Sequence, residues 1–245
     1  MIVTLGSLRG SPGVTSWSLL LGAAWPQDDE VVVLEADPSG GVLGARYGLG
    51  VDPGAVSLIA GLRHSPNAID IDAHVRSFAD LHVVPGPESG EQARSVWSGT
   101  ADAVATRLAA DERVWLADVG RLDGGSPVLP LAHASALTLL LCGPAMEDLV
   151  QVPSRVEWLS AIGASVGVVV VGDPGHRTEE LAEFFGTRLV WQVAANDDVR
   201  QIAGAILAGS GRAKRSWAWR TALDLASTIA AECRQAERQL MAVRS

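Results

Sequence analysis

The chain has 245 residues, 48% of them apolar, and a formal charge of -9 at pH 7. That apolar share supports a sizeable core and argues against a disordered chain, and the acidic balance argues against generic binding to a polyanion and against sequence-specific DNA binding, with a local basic patch left open. Two cysteines fit no metal spacing, no run reaches the ~18 apolar residues of a membrane span, and Arg9, Gly10 and Pro12 break the apolar N-terminus that a secretory signal needs, so a cytoplasmic chain with buried thiols is expected.

The first strand is read at Ile2-Val3-Thr4-Leu5, followed by the loop Gly6 to Gly13 and a helix opening at Val14-Thr15-Ser16-Trp17. A strand, a Gly-rich loop and a helix N-terminus together form an anion site, because backbone N–H groups and the helix dipole converge there. Val31-Val32-Val33-Leu34 is a β-branched run of the kind covered on both faces in parallel sheets. It ends in Glu35-Ala36-Asp37-Pro38-Ser39-Gly40-Gly41. Residues 42 to 80 are less regular, with a short helix around Leu58, Ile59 and Leu62.

Leu81-His82-Val83-Val84 reads as a strand stopped by Pro85, and a helix is expected from about Thr100 to Ala110. Strands follow at Val114 to Ala117, ending in Asp118-Val119-Gly120, and at Leu137 to Cys142, stopped by Gly143-Pro144. A helix over Glu147 to Ile162, a strand at Val166 to Val171, a helix over Thr178 to Phe185 and a strand at Leu189 to Val193 continue the alternation. Helices over Asp198 to Ala208 and from Ser216 to Val243 complete it. Strand and helix in alternation, with Gly, Pro and Asp at strand ends, indicate an α/β fold: a doubly wound, mostly parallel sheet with helices on both faces. No linker divides it, so residues 1–245 are expected to form one domain.

In such a sheet the loop at Gly6–Thr15, Asp37 and Asp118 gather along the carboxyl edge, where open α/β sheets bind ligands. The loop nearly matches the phosphate-loop pattern G-x-x-x-x-G-K-[ST]. Gly13 stands at the last glycine and Thr15 at the Mg²⁺-binding hydroxyl, but Val14 stands at the lysine. Thr15 and Ser16 also suit helix capping, and Asp37 before Pro38 also suits a turn.

These motifs together resemble the ParA/MinD group of deviant P-loop ATPases, whose loop reads K-G-G-x-G-K-[ST]-[ST]. Here the same stretch is Arg9-Gly10-Ser11-Pro12-Gly13-Val14-Thr15-Ser16. The early signature lysine becomes Arg9 and keeps its charge; the late lysine becomes Val14 and does not. The family's D-x-D-P appears as Glu35-Ala36-Asp37-Pro38, its proline-ended strand as Val84-Pro85-Gly86, its Walker-B end as Asp118-Val119-Gly120, and its next proline loop as Gly143-Pro144. The family's strand and I-P-x-D segment fall at Trp191 to Asp198 without the proline, and its base-contacting asparagine has no match at Val171-Gly172-Asp173.

The resemblance implies ATP or ADP with Mg²⁺ held by Arg9, Gly10, Ser11, Gly13, Thr15 and Ser16. It gives Thr15 and Asp118 to the metal and Asp37 to the catalytic water. It also implies dimerisation, either with a second copy or with a related ATPase, and work in partitioning or positioning through protein partners. The lost lysine removes charge from the β- and γ-phosphate side, where one donor is worth ~3–4 kcal/mol in other systems, and Pro12 removes one backbone N–H. The expectation is therefore a hydrolysis-deficient positioning or assembly factor, with binding of no nucleotide left open. The alternative is an active ATPase in which Arg9 or a partner residue replaces the lysine.

Near the C-terminus, Arg212, Lys214, Arg215 and Arg220 surround Trp217 and Trp219. This pattern suits a membrane surface, as weak peripheral contact, or a nucleic-acid contact. Leu223, Ala226, Ile229, Ala230, Cys233 and Leu240 at helical spacing suit a last helix packed on the sheet instead. The eight tryptophans have no role readable from the sequence.

Overall fold

The computed structural model describes residues 1–9, 12–65, 69–79, 81–193 and 199–244, with side chains described up to residue 238. Eight strands form one sheet: β1 (Ile2–Ser7), β2 (Val31–Glu35), β3 (Arg76–Phe78), β4 (Leu81–Val84), β5 (Val114–Arg121), β6 (Leu137–Cys142), β7 (Val166–Val171) and β8 (Val190–Val193). Their order is β3-β4-β2-β5-β1-β6-β7-β8. Every pairing is parallel except β3 with β4. The doubly wound α/β expectation holds. The chain leaves β1 to build one half of the sheet and returns beside it as β6 to build the other, so the end of β1 sits at the point where the winding reverses.

Apart from the edge strand β3, the strands feed two cores, because successive side chains point to opposite faces. Val114 and Leu116 enter one core and Trp115, Ala117 and Val119 the other. The first core is covered by α1 (Val14–Ala24), α10 (Val199–Leu207) and α11 (Trp217–Arg244). The second is covered mainly by α3 (Ala55–His64), α5 (Ala101–Ala109), α6 (Leu129–Ala134), α8 (Val152–Ala161) and α9 (Thr178–Phe185). Tryptophan fills both: Trp17, Trp97 and Trp115 are fully buried, and Trp25 and Trp219 nearly so.

Several elements differ from the sequence reading. The helix expected over Glu147 to Ile162 is two, α7 (Met146–Leu149) and α8, because Pro153 can stand only in a first helical turn. The short helices α2 (Leu43–Tyr47) and α4 (Gly90–Trp97), together with α6 and β3, were not anticipated. β5 does not stop before Asp118 but runs on to Arg121, so Asp118 is a mid-strand residue registered with Leu5 on one side and Glu35 on the other. The Asp198 start of the helix expected over Asp198 to Ala208 and the rest of segment 194–198 lie outside the described residues.

Candidate functional site

The carboxyl ends of β1, β2 and β5 are neighbours, and a cavity of about 620 Å³ opens above them. This lies within the ~300–1,000 Å³ range of ligand sites. Its floor is the start of α1: Gly13, Val14, Thr15 and Ser16 line it. Gly13 precedes the helix in the left-handed region (φ 89°), a conformation that glycine takes without steric cost, and its carbonyl accepts from the Trp17 N–H at 2.8 Å. The N-cap position is Gly13, so Thr15 and Ser16 stand inside the first turn rather than at the cap, and among the described residues no side chain caps this helix. Ser16 is buried and Thr15 half-buried.

Val14, at the position of the missing lysine, is 7% exposed and belongs to the core beneath α1. Arg9 is exposed, stands outside the cavity lining, and makes no ion pair or hydrogen bond among the described residues. Gly10 and Ser11 lie outside the described residues.

Three carboxylates gather along β2 and β5: Asp37, just past the end of β2, lines the cavity together with Asp123 further on, while Glu35 and Asp118 are buried behind that lining. Asp118 is 1% exposed. One of its oxygens, Oδ1, accepts from the Gly120 N–H at 3.1 Å. The Thr15 hydroxyl lies close enough to favour its charged form, yet Oδ2 has no well-formed hydrogen bond among the described residues. Burial pushes its pKa up to about 7, with the charges of Glu35 and Asp37 adding to the effect. Asp37 is half-buried at the cavity wall, where its Oδ1 accepts from the Ser39 N–H at 2.7 Å. Its carboxyl packs against Gly120, which has φ +60° and where any Cβ would collide with it.

Glu35 was quoted in the sequence motif without a role, and the structure supplies one. It is 1% exposed. Oε1 accepts from the N–H groups of Val42 at 2.6 Å and Leu43 at 3.1 Å, and Oε2 accepts from Gly86 N–H at 2.9 Å. One carboxylate thus holds the start of α2 and the connection after β4. Burial raises its pKa, opposed by those three N–H donors. The same two loops are joined by the Gly41 N–H to Pro87 carbonyl bond at 2.7 Å, and Arg94 Nη1 reaches the Pro38 carbonyl at 3.4 Å.

The sequence reading also missed three cavity arginines, Arg46 on α2, Arg94 on α4 and Arg121 at the end of β5. None of them enters an ion pair among the described residues.

The arrangement suits a phosphorylated ligand with Mg²⁺. Among the described residues no three His, Cys, Asp or Glu side chains converge as a metal cage. Mg²⁺ seldom needs one, since it keeps waters and takes one or two protein oxygens plus phosphates. The orphan Oδ2 of Asp118 beside the Thr15 hydroxyl is an oxygen pair of that kind. At the other end of the molecule, Trp219 is buried, with Lys214 Nζ 5.9 Å from its ring centre, and Arg220 donates to the Arg215 carbonyl. The basic residues there are exposed, while the Trp219 ring serves the core. Among the described residues no helix is long and apolar enough to cross a membrane.

The sequence matches no protein-family model and no curated protein. Solved structures do match over nearly the whole chain. MinD from Pyrococcus horikoshii, complexed with Mg-ADP, superposes with a TM-score of 0.72 at 17% identity, over 93% of this chain and 95% of that one. A ParA family ATPase from Chlorobium tepidum gives 0.71 at 12% identity, over 92% and 98%. An ATP complex of a McdA variant from Cyanothece gives 0.67 at 16% identity, over 91% and 95%. The fold is that of the MinD/ParA-like P-loop ATPases.

Proposed function

We propose that this chain is a MinD/ParA-like positioning or assembly factor that binds ATP or ADP with Mg²⁺ in the cavity above α1, hydrolyses it very slowly or not at all, and acts through protein partners. The observation that carries this reading is the contrast at the start of α1. Thr15 and the buried Asp118 keep the metal side intact, while Val14 turns into the core where the resembled family has its lysine. A valine supplies no charge to a developing phosphoryl transition state, and loss of one such donor costs ~10²–10³ in rate elsewhere.

With nucleotide bound, Mg²⁺ would draw on Thr15 and Asp118, and Asp37 would face the attacking water. The metal supplies charge neutralisation for the phosphates. The Gly13 turn brings backbone close to them, and Glu35 keeps both loops of the wall in place. The proteins of matching fold include nucleotide complexes and a plasmid partition protein, which supports both the ligand class and the positioning role. We place the functional unit as a homodimer or a heterodimer with a related ATPase.

Calorimetric titration with Mg-ATP, paired with phosphate-release measurements, tests the reading. Binding with release at the buffer rate is expected. Release that disappears in Asp37→Ala would establish an active ATPase instead. Sizing with and without nucleotide tests the dimer, and a monomer in both conditions, alone and with candidate relatives, removes it.

A further inference from the structure

We propose that Arg46, Arg94 and Arg121 form the cation set that receives the polyphosphate of the ligand, in place of the charge missing from the phosphate loop. This deepens the nucleotide-binding reading above and rests on it for the identity of the ligand.

Arg46 carries the inference furthest. Its side chain lines the cavity, and its Nη1, shut off from solvent, has no hydrogen-bond partner among the described residues, so a turn of the guanidinium into the cavity would give that N–H a phosphate oxygen. A buried donor without an acceptor is destabilising, more so when it is charged. Proteins keep such groups where a ligand or ion completes them. A guanidinium is suited to this task, because its planar fork matches phosphate oxygens two at a time.

Arg94 and Arg121 strengthen the case by their independence. The three residues come from different elements, α2, α4 and β5, yet line one cavity. Arg94 uses Nη1 on the Pro38 carbonyl, and among the described residues no ion pair engages its charge or that of Arg121. In a chain of net charge -9, three uncompensated arginines on a single cavity run against the overall balance. The cavity carboxylates Asp37 and Asp123 do not neutralise them by contact. The placement is also built in. Glu35 fixes the start of α2 through Val42 and Leu43 and the loop before α4 through Gly86, so it sets both Arg46 and Arg94 relative to the phosphate loop.

The chemistry recognised is a di- or triphosphate group, carried by a nucleotide or free. The test is titration of the full chain with Mg-ATP, with tripolyphosphate and with inorganic phosphate. The proteins compared are wild type, Arg46→Gln, Arg94→Ala, Arg121→Ala, Arg9→Ala and the remote control Arg212→Ala. Circular dichroism establishes that each is folded.

We expect Arg46→Gln to weaken ATP and tripolyphosphate about 10- to 100-fold, the range of one charge-assisted bond. A smaller loss is expected for Arg94→Ala and Arg121→Ala, and none for Arg212→Ala. If Arg46→Gln is misfolded, the two exposed arginines carry the test, and a loss in neither overturns the proposal. Wild-type affinity in all three cavity variants, with the loss confined to Arg9→Ala, overturns the arginine set and leaves nucleotide binding standing. Arginine-dependent binding of tripolyphosphate without ATP keeps the set and removes the nucleotide reading. No binding of any probe at millimolar concentration overturns both.

Discussion

Asp118→Asn is the perturbation with the clearest thermodynamic signature. The carboxyl is fully buried, and burial lifts its pKa from the ordinary 3.8 to about 7. The folded chain therefore holds this proton over a pH range in which the unfolded chain has released it. Its contribution to stability is complete below pH ~4 and lost as pH rises to ~7. At ~1.4 kcal/mol per pH unit the whole loss is about 4 kcal/mol, of which roughly 3 kcal/mol falls between pH 5 and pH 8. Asparagine keeps the shape and cannot ionise. Urea denaturation of both proteins at pH 5 and pH 8, without nucleotide or Mg²⁺, gives two differences. Asp118→Asn should gain on wild type by roughly 3 kcal/mol between the two pH values. The amide's own hydrogen bonds displace both differences equally and cancel. Asp111, held at about 2 by its Arg113 bonds against the burial that raises it, titrates in both proteins and cancels too, whereas Glu35, whose charge helps raise Asp118, is coupled to it, so the measured difference belongs to the pair. A difference that does not change between pH 5 and pH 8 refutes the claim that Asp118 carries a buried, uncompensated charge.

Three further outcomes follow from the same geometry. Glu35→Ala leaves the Val42, Leu43 and Gly86 N–H groups without their acceptor and should cost about 3 kcal/mol or more in chemical denaturation. Gly120→Ala places a Cβ against Asp37 at a positive φ and should lower the melting temperature by roughly 3–10 °C, read by calorimetry. Trp219→Ala empties a buried site under α11 and should cost ~3–5 kcal/mol in urea while leaving flotation with anionic vesicles unchanged. A flotation loss at wild-type stability would place that ring on a membrane rather than in the core.

The sheet was legible where its physics is strongest. The β2, β6 and β7 runs are β-branched or leucine-rich because both faces are covered, and such runs stand out. β3 did not stand out, being three half-exposed residues on an edge. α2 and α6 are too short to show a helical period. At the site, Gly13, Thr15, Asp37 and Asp118 were readable because a loop pattern and strand ends mark them. Arg46 and Arg94 were not, since nothing near them in sequence distinguishes them from solvent-facing charge. Their convergence depends on hydrogen bonds that the Glu35 carboxylate accepts from backbone N–H groups 7, 8 and 51 positions away. The tryptophans, unassigned from sequence, are in large part core residues of the two faces.

The length of Glu35 has a consequence for the width of the site. The resembled motif carries aspartate at this position, one methylene shorter. The longer side chain fits between two loops because Gly41 and Gly86 present no Cβ against it. The distance between the jaws bearing Arg46 and Arg94 is thus set by the reach of one side chain, as a strut sets the gap of a frame. Glu35→Asp keeps the charge but shortens that strut. Either one jaw loses its anchor or the two draw together, and in both cases the gauge of the cavity changes without any residue that faces it being altered.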